Sequence, residues 1–303
     1  MSADRMKRQH PAAAAARTAA FGLLLDVDGP IASPESRTIA IPSIIHDLLR
    51  LAHAGVPVAF VTGRSDAFMR DQVVAPLVAG GLDDDIALFG VFEKGGVWAP
   101  ITAAGLGEIA LDPAVALPAD ARAEVERIAR ESFSPAMFVD EGKRVMVSIE
   151  QRVGTSAALY REAQGRFEDA AFRALAARGL GIRYGDRVVL DAEGAAPYRI
   201  DPTIISTDIE SVRLDKDHGA ARAIDWFAER GVTAPRWYSV GDSRSDYKMA
   251  DHVHAAGLEA VHVDVRPRDG LLARDYEVAV RGDLVHDAAG ADFLRERVAA
   301  LGG

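Results

Sequence analysis

Cysteine is absent from all 303 residues, which excludes disulfides, thiol nucleophiles and cysteine-ligated metals. Long apolar runs are missing too, and none approaches the roughly 20 residues that a helix needs to cross a bilayer. Positive charge is in deficit: 35 Lys and Arg face 45 Asp and Glu, a formal net charge of −10. Nucleic acid and anionic membranes repel a surface of that balance, so neither is expected as a partner. A phosphorylated small molecule remains open, because it asks only for a local positive pocket. No Gly-x-Gly-x-x-Gly follows the first apolar run, which argues against a dinucleotide-binding domain. Internal repeats are also missing. Residues 1–20 mix Arg, Lys and His with an alanine tract and lack the apolar core of a secretion signal. They are expected to form a disordered tail on a cytoplasmic protein.

What is there begins at Leu23-Leu24-Leu25-Asp26-Val27-Asp28-Gly29. Three aliphatic residues running into acid and glycine punctuation read as a buried, parallel strand. Such a strand delivers its acids at the C-terminal edge, where open α/β sheets bind ligands. Alternation points Asp26 and Asp28 to the same side. Two like charges so close are costly to bury unless a cation or a shared proton relieves them, which makes a metal the first expectation.

The chain then keeps an α/β rhythm. Helix-spaced apolar residues Ile44, Ile45, Leu48, Leu49 and Leu51 precede a strand at 56–61, which ends in Thr62-Gly63-Arg64-Ser65. Strand, helix, strand is a right-handed βαβ unit. Residues 65–78 read as helix, 86–92 as a third strand and 93–96 as a turn. The character shifts between 101 and 201. Helices at 119–132 and 155–177 interleave with strand pairs at 137–139/145–149 and 182–184/188–190, a mixed α+β module inserted into the first domain. The α/β rhythm returns with a helix over 219–230 and a strand over 236–240, which ends in Gly241-Asp242-Ser243-Arg244-Ser245-Asp246. A strand at 260–265 and a helix at 291–301 close the chain, and residues 266–283 carry no clear signal.

Taken singly, the polar residues at these strand ends have plain structural readings. An aspartate after an apolar run caps a turn or a helix, and a lysine between two aspartates is solvated. The ordered set is more specific than its parts. It resembles the haloacid dehalogenase-like hydrolase superfamily: Asp26-Val27-Asp28-Gly29 as the first motif and Val61-Thr62-Gly63-Arg64 as the second. Lys216, before a helix, stands as the third, and Gly241-Asp242 with Asp246 as the fourth.

Only 34 positions separate Asp28 from Thr62, whereas 154 separate Thr62 from Lys216, room for a strand, a hairpin and an inserted domain. That spacing resembles the members with a C2-type cap, among them the sugar-phosphate phosphatases and phosphomannomutases. The turn Phe92-Glu93-Lys94-Gly95-Gly96-Val97 is similar to the family's turn before the cap.

The resemblance implies an α/β fold, with a doubly wound, mostly parallel Rossmann-like core at 21–101 and 206–303 and an inserted α+β cap at 102–205. It implies a Mg²⁺-dependent phosphatase that hydrolyses a small phosphorylated metabolite, such as a sugar phosphate, through an aspartyl-phosphate. In those terms Asp26 attacks phosphorus, while Asp28 protonates the leaving group and then activates water. Thr62 and Lys216 bind the phosphoryl oxygens, with Gly63, Arg64 and Ser245 beside them. Asp26, Asp28 (through its carbonyl), Asp242 and Asp246 hold the metal, Asp246 from the second shell or through water.

Two positions depart from the family pattern. Pro30 stands where a threonine hydroxyl usually helps to orient the second aspartate, and Ser245 stands where many capped members have asparagine. A phosphomutase, which returns the phosphoryl group to substrate, and a catalytically weak phosphate-binding regulatory protein are the alternatives. Release of inorganic phosphate separates the mutase from the phosphatase. Arg144, Arg152, Arg183 and Arg187 of the insert are candidates for substrate polar groups, against the plain reading of solvated hairpin arginines. His252 and His254 read as surface residues.

Overall fold

The computed structural model describes residues 16–84, 86 and 88–302. Of the tail expected over 1–20, residues 1–15 lie outside the described residues. Arg17–Thr18 pair in parallel with Val232–Thr233.

Six parallel strands run in the spatial order Glu277–Ala279, Glu259–Asp264, Arg236–Gly241, Gly22–Leu25, Val58–Val61 and Leu88–Phe92. Val97–Thr102 adds antiparallel at the edge and pairs with the short strands Gly105–Leu106 and Ala110–Leu111. The sheet is buried on both faces. Leu23 and Leu25 enter one apolar cluster with Val58 and Phe60, whereas Leu24 enters another with Ala59 and Val61. That is why these strands read as unbroken apolar runs rather than as alternating ones. Burying each leucine contributes roughly 1.5–3 kcal/mol. The chain order reverses between Gly22–Leu25 and Arg236–Gly241, so a crevice opens at their C-terminal ends.

The inserted unit is a six-stranded sheet in the order Arg187–Val189, Ile182–Tyr184, Tyr198–Pro202, Ser206–Ser211, Val147–Gln151, Met137–Val139. All its pairs are antiparallel except Ile182–Tyr184 with Tyr198–Pro202. Val147, Ile149, Ile200 and Ile209 pack with residues of the helices Ala119–Ile128 and Ala157–Ala177 in a separate cluster. The opposite face, carrying Ser148, Glu150, Arg199, Asp201, Ser206 and Asp208, lines a cavity over the core.

Both boundaries expected for the insert move. Residues 105–111 still belong to the core sheet, and Ser206–Ser211, expected as core, is a central strand of the cap. Ser206–Ser211 carries one apolar side chain, Ile209, although all but Ser206 are buried, so only its pairing on both sides identifies it. Residues 277–279, in the stretch without signal, form the outer parallel strand.

Two core residues grip the cap. Glu93 is fully buried and accepts the backbone N–H groups of Arg144 (2.7 Å), Val145 (2.9 Å) and Met146 (3.3 Å). The Lys94 ammonium sits among Glu210 (2.8 Å), Asp208 (3.1 Å) and Asp201 (3.3 Å). Both residues have left-handed backbones, with φ of 47° and 55°. Such non-glycine conformations cost about 1–3 kcal/mol each, and the buried contacts on either side hold them there.

Candidate active site

Asp26 leaves the first strand at the switch point and is buried. Lys216, the first residue of the helix Lys216–Ala228, reaches it from across the crevice. The lysine's Nζ lies 2.5 Å from Asp26 Oδ1, 2.7 Å from Asp246 Oδ1 and 2.9 Å from the Val61 carbonyl. Its backbone N–H donates to the side chain of Asp215, which caps the helix. One ammonium therefore ties the ends of two strands to the turn that follows a third.

Asp246 is fully buried and its second oxygen is already engaged. Asp246 Oδ2 accepts the N–H groups of Asp242 (3.1 Å) and Ser243 (2.9 Å) and the Ser243 hydroxyl (2.8 Å), which shapes the turn after Arg236–Gly241. Gly29 follows the acidic pair with φ +97°, and a Cβ there would stand 2.7 Å from the Asp242 carboxyl carbon. Only glycine lets the two acidic turns approach so closely.

The charges are unequal. Burial, and then the Asp246 charge, push the Asp26 carboxyl well above its ordinary range against the pull of Lys216. Burial and Asp246 likewise push Asp242 up to about 6. Burial would also raise Asp246, but Lys216 and the Ser243 donors outweigh it and hold that carboxyl down. Asp26, Asp242 and Asp246 each present a carboxylate oxygen within 4.8 Å of the others. An all-oxygen donor set with surplus negative charge fits a hard divalent cation such as Mg²⁺.

Asp28 stands apart from the three acids. Its carboxylate is held bidentate by Arg64, Nε to Oδ2 at 2.8 Å and Nη2 to Oδ1 at 2.9 Å, and takes no part in the three-acid group. Arg64, expected beside a phosphate, lines the cavity and there holds the Asp28 carboxylate. Its guanidinium also lies 4.7 Å from the Phe68 ring centroid.

Thr62 is buried at the end of Val58–Val61, and its hydroxyl accepts the Arg64 N–H at 3.1 Å, so its own proton is free to donate. Gly63 offers its carbonyl to Lys143 of the cap at 2.6 Å. Ser245 borders the same cavity, its hydroxyl 2.8 Å from that of Ser243. The cavity holds about 510 Å³.

The site also takes residues that motif reading missed: Lys94, Lys143, Glu150 and Arg199 all line the cavity. Alternation in the cap strands is the signal that could have found Glu150 and Arg199, once the pairing partners were known. The four arginines considered for this role do not line it. Arg144 binds Asp66 and Arg187 binds Asp169 instead.

The sequence matches no family model and no curated protein. Solved structures nonetheless share its fold. The C-terminal domain of C. albicans trehalose-6-phosphate phosphatase superposes with a TM-score of 0.63 at 12% identity, over 92% of this chain and 93% of that one. A haloacid dehalogenase-like hydrolase from Bacteroides thetaiotaomicron gives 0.56 at 14% identity, over 91% and 99%. A Thermoplasma acidophilum protein gives 0.54 at 14% identity, over 92% and 98%. The fold is that of the haloacid dehalogenase-like hydrolases, a mostly parallel α/β core with an inserted cap. No helix among the described residues is long and apolar enough to cross a membrane.

Proposed function

We propose that this chain is a Mg²⁺-dependent phosphatase that hydrolyses a small phosphorylated metabolite, by way of a phosphoryl group carried on Asp26. The observation that carries this reading is the buried Asp26–Lys216–Asp246 contact at the sheet's switch point, with Asp242 beside the two acids and Asp28 and Thr62 on the cavity that Asp26 and Lys216 line. A phosphate monoester is a dianion, so an anionic nucleophile reaches it only where the surrounding charge is compensated.

Asp26 attacks phosphorus, and the bond to the leaving oxygen breaks as the Asp26 oxygen bond forms. Lys216 and the Thr62 hydroxyl donate to the phosphoryl oxygens, where transition-state charge accumulates. Asp28, steadied by Arg64, gives a proton to the leaving alkoxide. It then takes one from the water that hydrolyses the acyl phosphate. Asp26 and Asp242, with Asp246 behind them, would hold a divalent cation, which would supply further charge compensation. The cap covers the cavity and limits the access of bulk water to the acyl phosphate.

A sugar phosphate is the finer reading of the substrate. The cap's polar face, with Ser148, Thr203 and Ser206, offers hydroxyl and carboxylate partners to a polyhydroxylated leaving group. One of the proteins with this fold is a trehalose-6-phosphate phosphatase, which supports the same class. The test is a screen of phosphorylated metabolites for release of inorganic phosphate, beside Asp26→Asn. Turnover in the wild type and none in the folded variant is the expected result. A variant that keeps substantial activity removes Asp26 from the nucleophile's role.

A further inference from the structure

The cavity's charges are unequally matched. Arg64 is spent on Asp28, Lys216 on Asp26 and Asp246, and Lys94 on three cap acids. Arg199 binds Glu210 at 2.7 Å, and Lys248 pairs with Asp215. Lys143 donates to the Gly63 carbonyl and stands 3.8 Å from Asp140. Each cation of the lining thus already has a partner.

One acid of the lining is not matched in this way. Glu150, on Val147–Gln151, lies opposite Ser206 on one side and Phe138 on the other. Its carboxylate is half-buried and makes no hydrogen bond or ion pair among the described residues. Arg64, Lys143 and Arg37 attract it from beyond ion-pair distance, while burial and the Asp140 charge push its carboxyl up from the ordinary range. Glu150 stands on the cap's wall of the cavity that Asp28 and Arg64 line from the core, the side on which the leaving group of a phosphoryl transfer to Asp26 would sit.

We propose that Glu150 is a specificity-determining residue that excludes substrates carrying a second anionic group. The monoesters admitted are those whose leaving group is neutral and bears hydroxyls. This assignment rests on the phosphatase reading above. The transferred phosphoryl group has Lys216 and Thr62 to meet it. A carboxylate or second phosphate on the leaving group finds no free cation and meets a partly desolvated like charge. A neutral hydroxyl in the same place donates to Glu150 and to the serine and threonine oxygens beside it.

The experiment uses the full chain and the matched pair glycerol phosphate and phosphoglycerate, which differ by a hydroxymethyl against a carboxylate. Each is measured as a competitor of nitrophenyl phosphate hydrolysis, so neither needs to be the natural substrate. The wild type is expected to favour glycerol phosphate by about tenfold or more in inhibition constant, the order of one like-charge contact near a protein surface. Glu150→Gln should narrow that ratio severalfold, and Glu150→Lys should close or reverse it. A lost fold lowers both affinities together, whereas the proposal requires their ratio to move.

A wild type that binds the two equally, or not at all, overturns the assignment. So does a ratio unchanged in both variants. Failure of the wild type to hydrolyse nitrophenyl phosphate at all overturns the phosphatase reading instead, and the assignment with it.

Discussion

Asp28 is the residue whose surroundings differ most from what the motif implies. A proline at position 30 removes both a hydroxyl and an N–H from the loop that presents it. The planar guanidinium of Arg64 supplies two parallel hydrogen bonds in their place, and that geometry fixes the plane of a carboxylate better than one hydroxyl can. Pro30 is itself wedged: a Cβ on Gly290 would stand 1.9 Å from its carbonyl oxygen. Arg64→Lys keeps the charge and loses the fork. It should lower kcat by about 10²-fold on alkyl phosphates, whose leaving oxygens need a proton, and by much less on nitrophenyl phosphate. Pro30→Thr should change both by less than about twofold, because Asp28 is already oriented. Equal losses on the two substrate types in Arg64→Lys would show that Arg64 serves something other than the proton donor. None of this was legible in the sequence. Motif spacing says that Arg64 stands at a strand end, but not which neighbour its fork will face.

The core strands were legible because both of their faces are buried, so Leu23-Leu24-Leu25 and Val58–Val61 are apolar without interruption. Asp26, Thr62 and Asp242 then fall at the edge because strands end where that run ends. The cap strands were not legible to the same degree. One face of Ser206–Ser211 packs into an apolar cluster and the other lines a polar cavity, so the strand carries too few apolar residues to announce itself. Another property visible only in the packed elements is the state of His262 on Glu259–Asp264. Its ring is fully buried, 3.9 Å from the Tyr247 ring centroid, with Nδ1 2.8 Å from the Ser239 hydroxyl and Nε2 unpartnered. Burial pushes its pKa down from 6.5 to about 4, outweighing Asp246, Asp264 and Asp251, with Arg274 acting in the same downward sense. The folded state therefore binds fewer protons than the unfolded state between those two values. Stability from the neutral imidazole is complete above pH 6.5 and is lost as pH falls toward 4, by roughly 3 kcal/mol in all. Urea midpoints across that window should fall in the wild type and flatten in His262→Gln. Identical slopes would mean that other groups carry the acid sensitivity.

Asp26 and Asp242 stand on opposite sides of the inserted cap in the chain and meet at one point of the fold. Without a cation, their meeting is a cost to the whole molecule. Four carboxylates, those of Asp26, Asp28, Asp242 and Asp246, gather around two cations, Lys216 and Arg64, and Asp242 is driven up to about 6. A divalent ion that binds only the folded chain removes that repulsion and joins the segments before and after the cap. At a hundred times its dissociation constant it should add about 2.7 kcal/mol to stability. The melting temperature should therefore rise with Mg²⁺ and fall with a chelator, by several degrees in each direction. The same argument makes an opposite prediction for Asp242→Asn. Removing one of the crowded charges should make the variant more stable than the wild type under chelation, while abolishing most of its response to Mg²⁺. This reversal of rank separates a functional metal site from acids that are merely structural, whose neutralisation would lower stability with or without the ion. A wild type that melts at the same temperature with Mg²⁺ and with chelator, or a variant that responds to Mg²⁺ as fully as the wild type, would show that these three acids do not hold the ion.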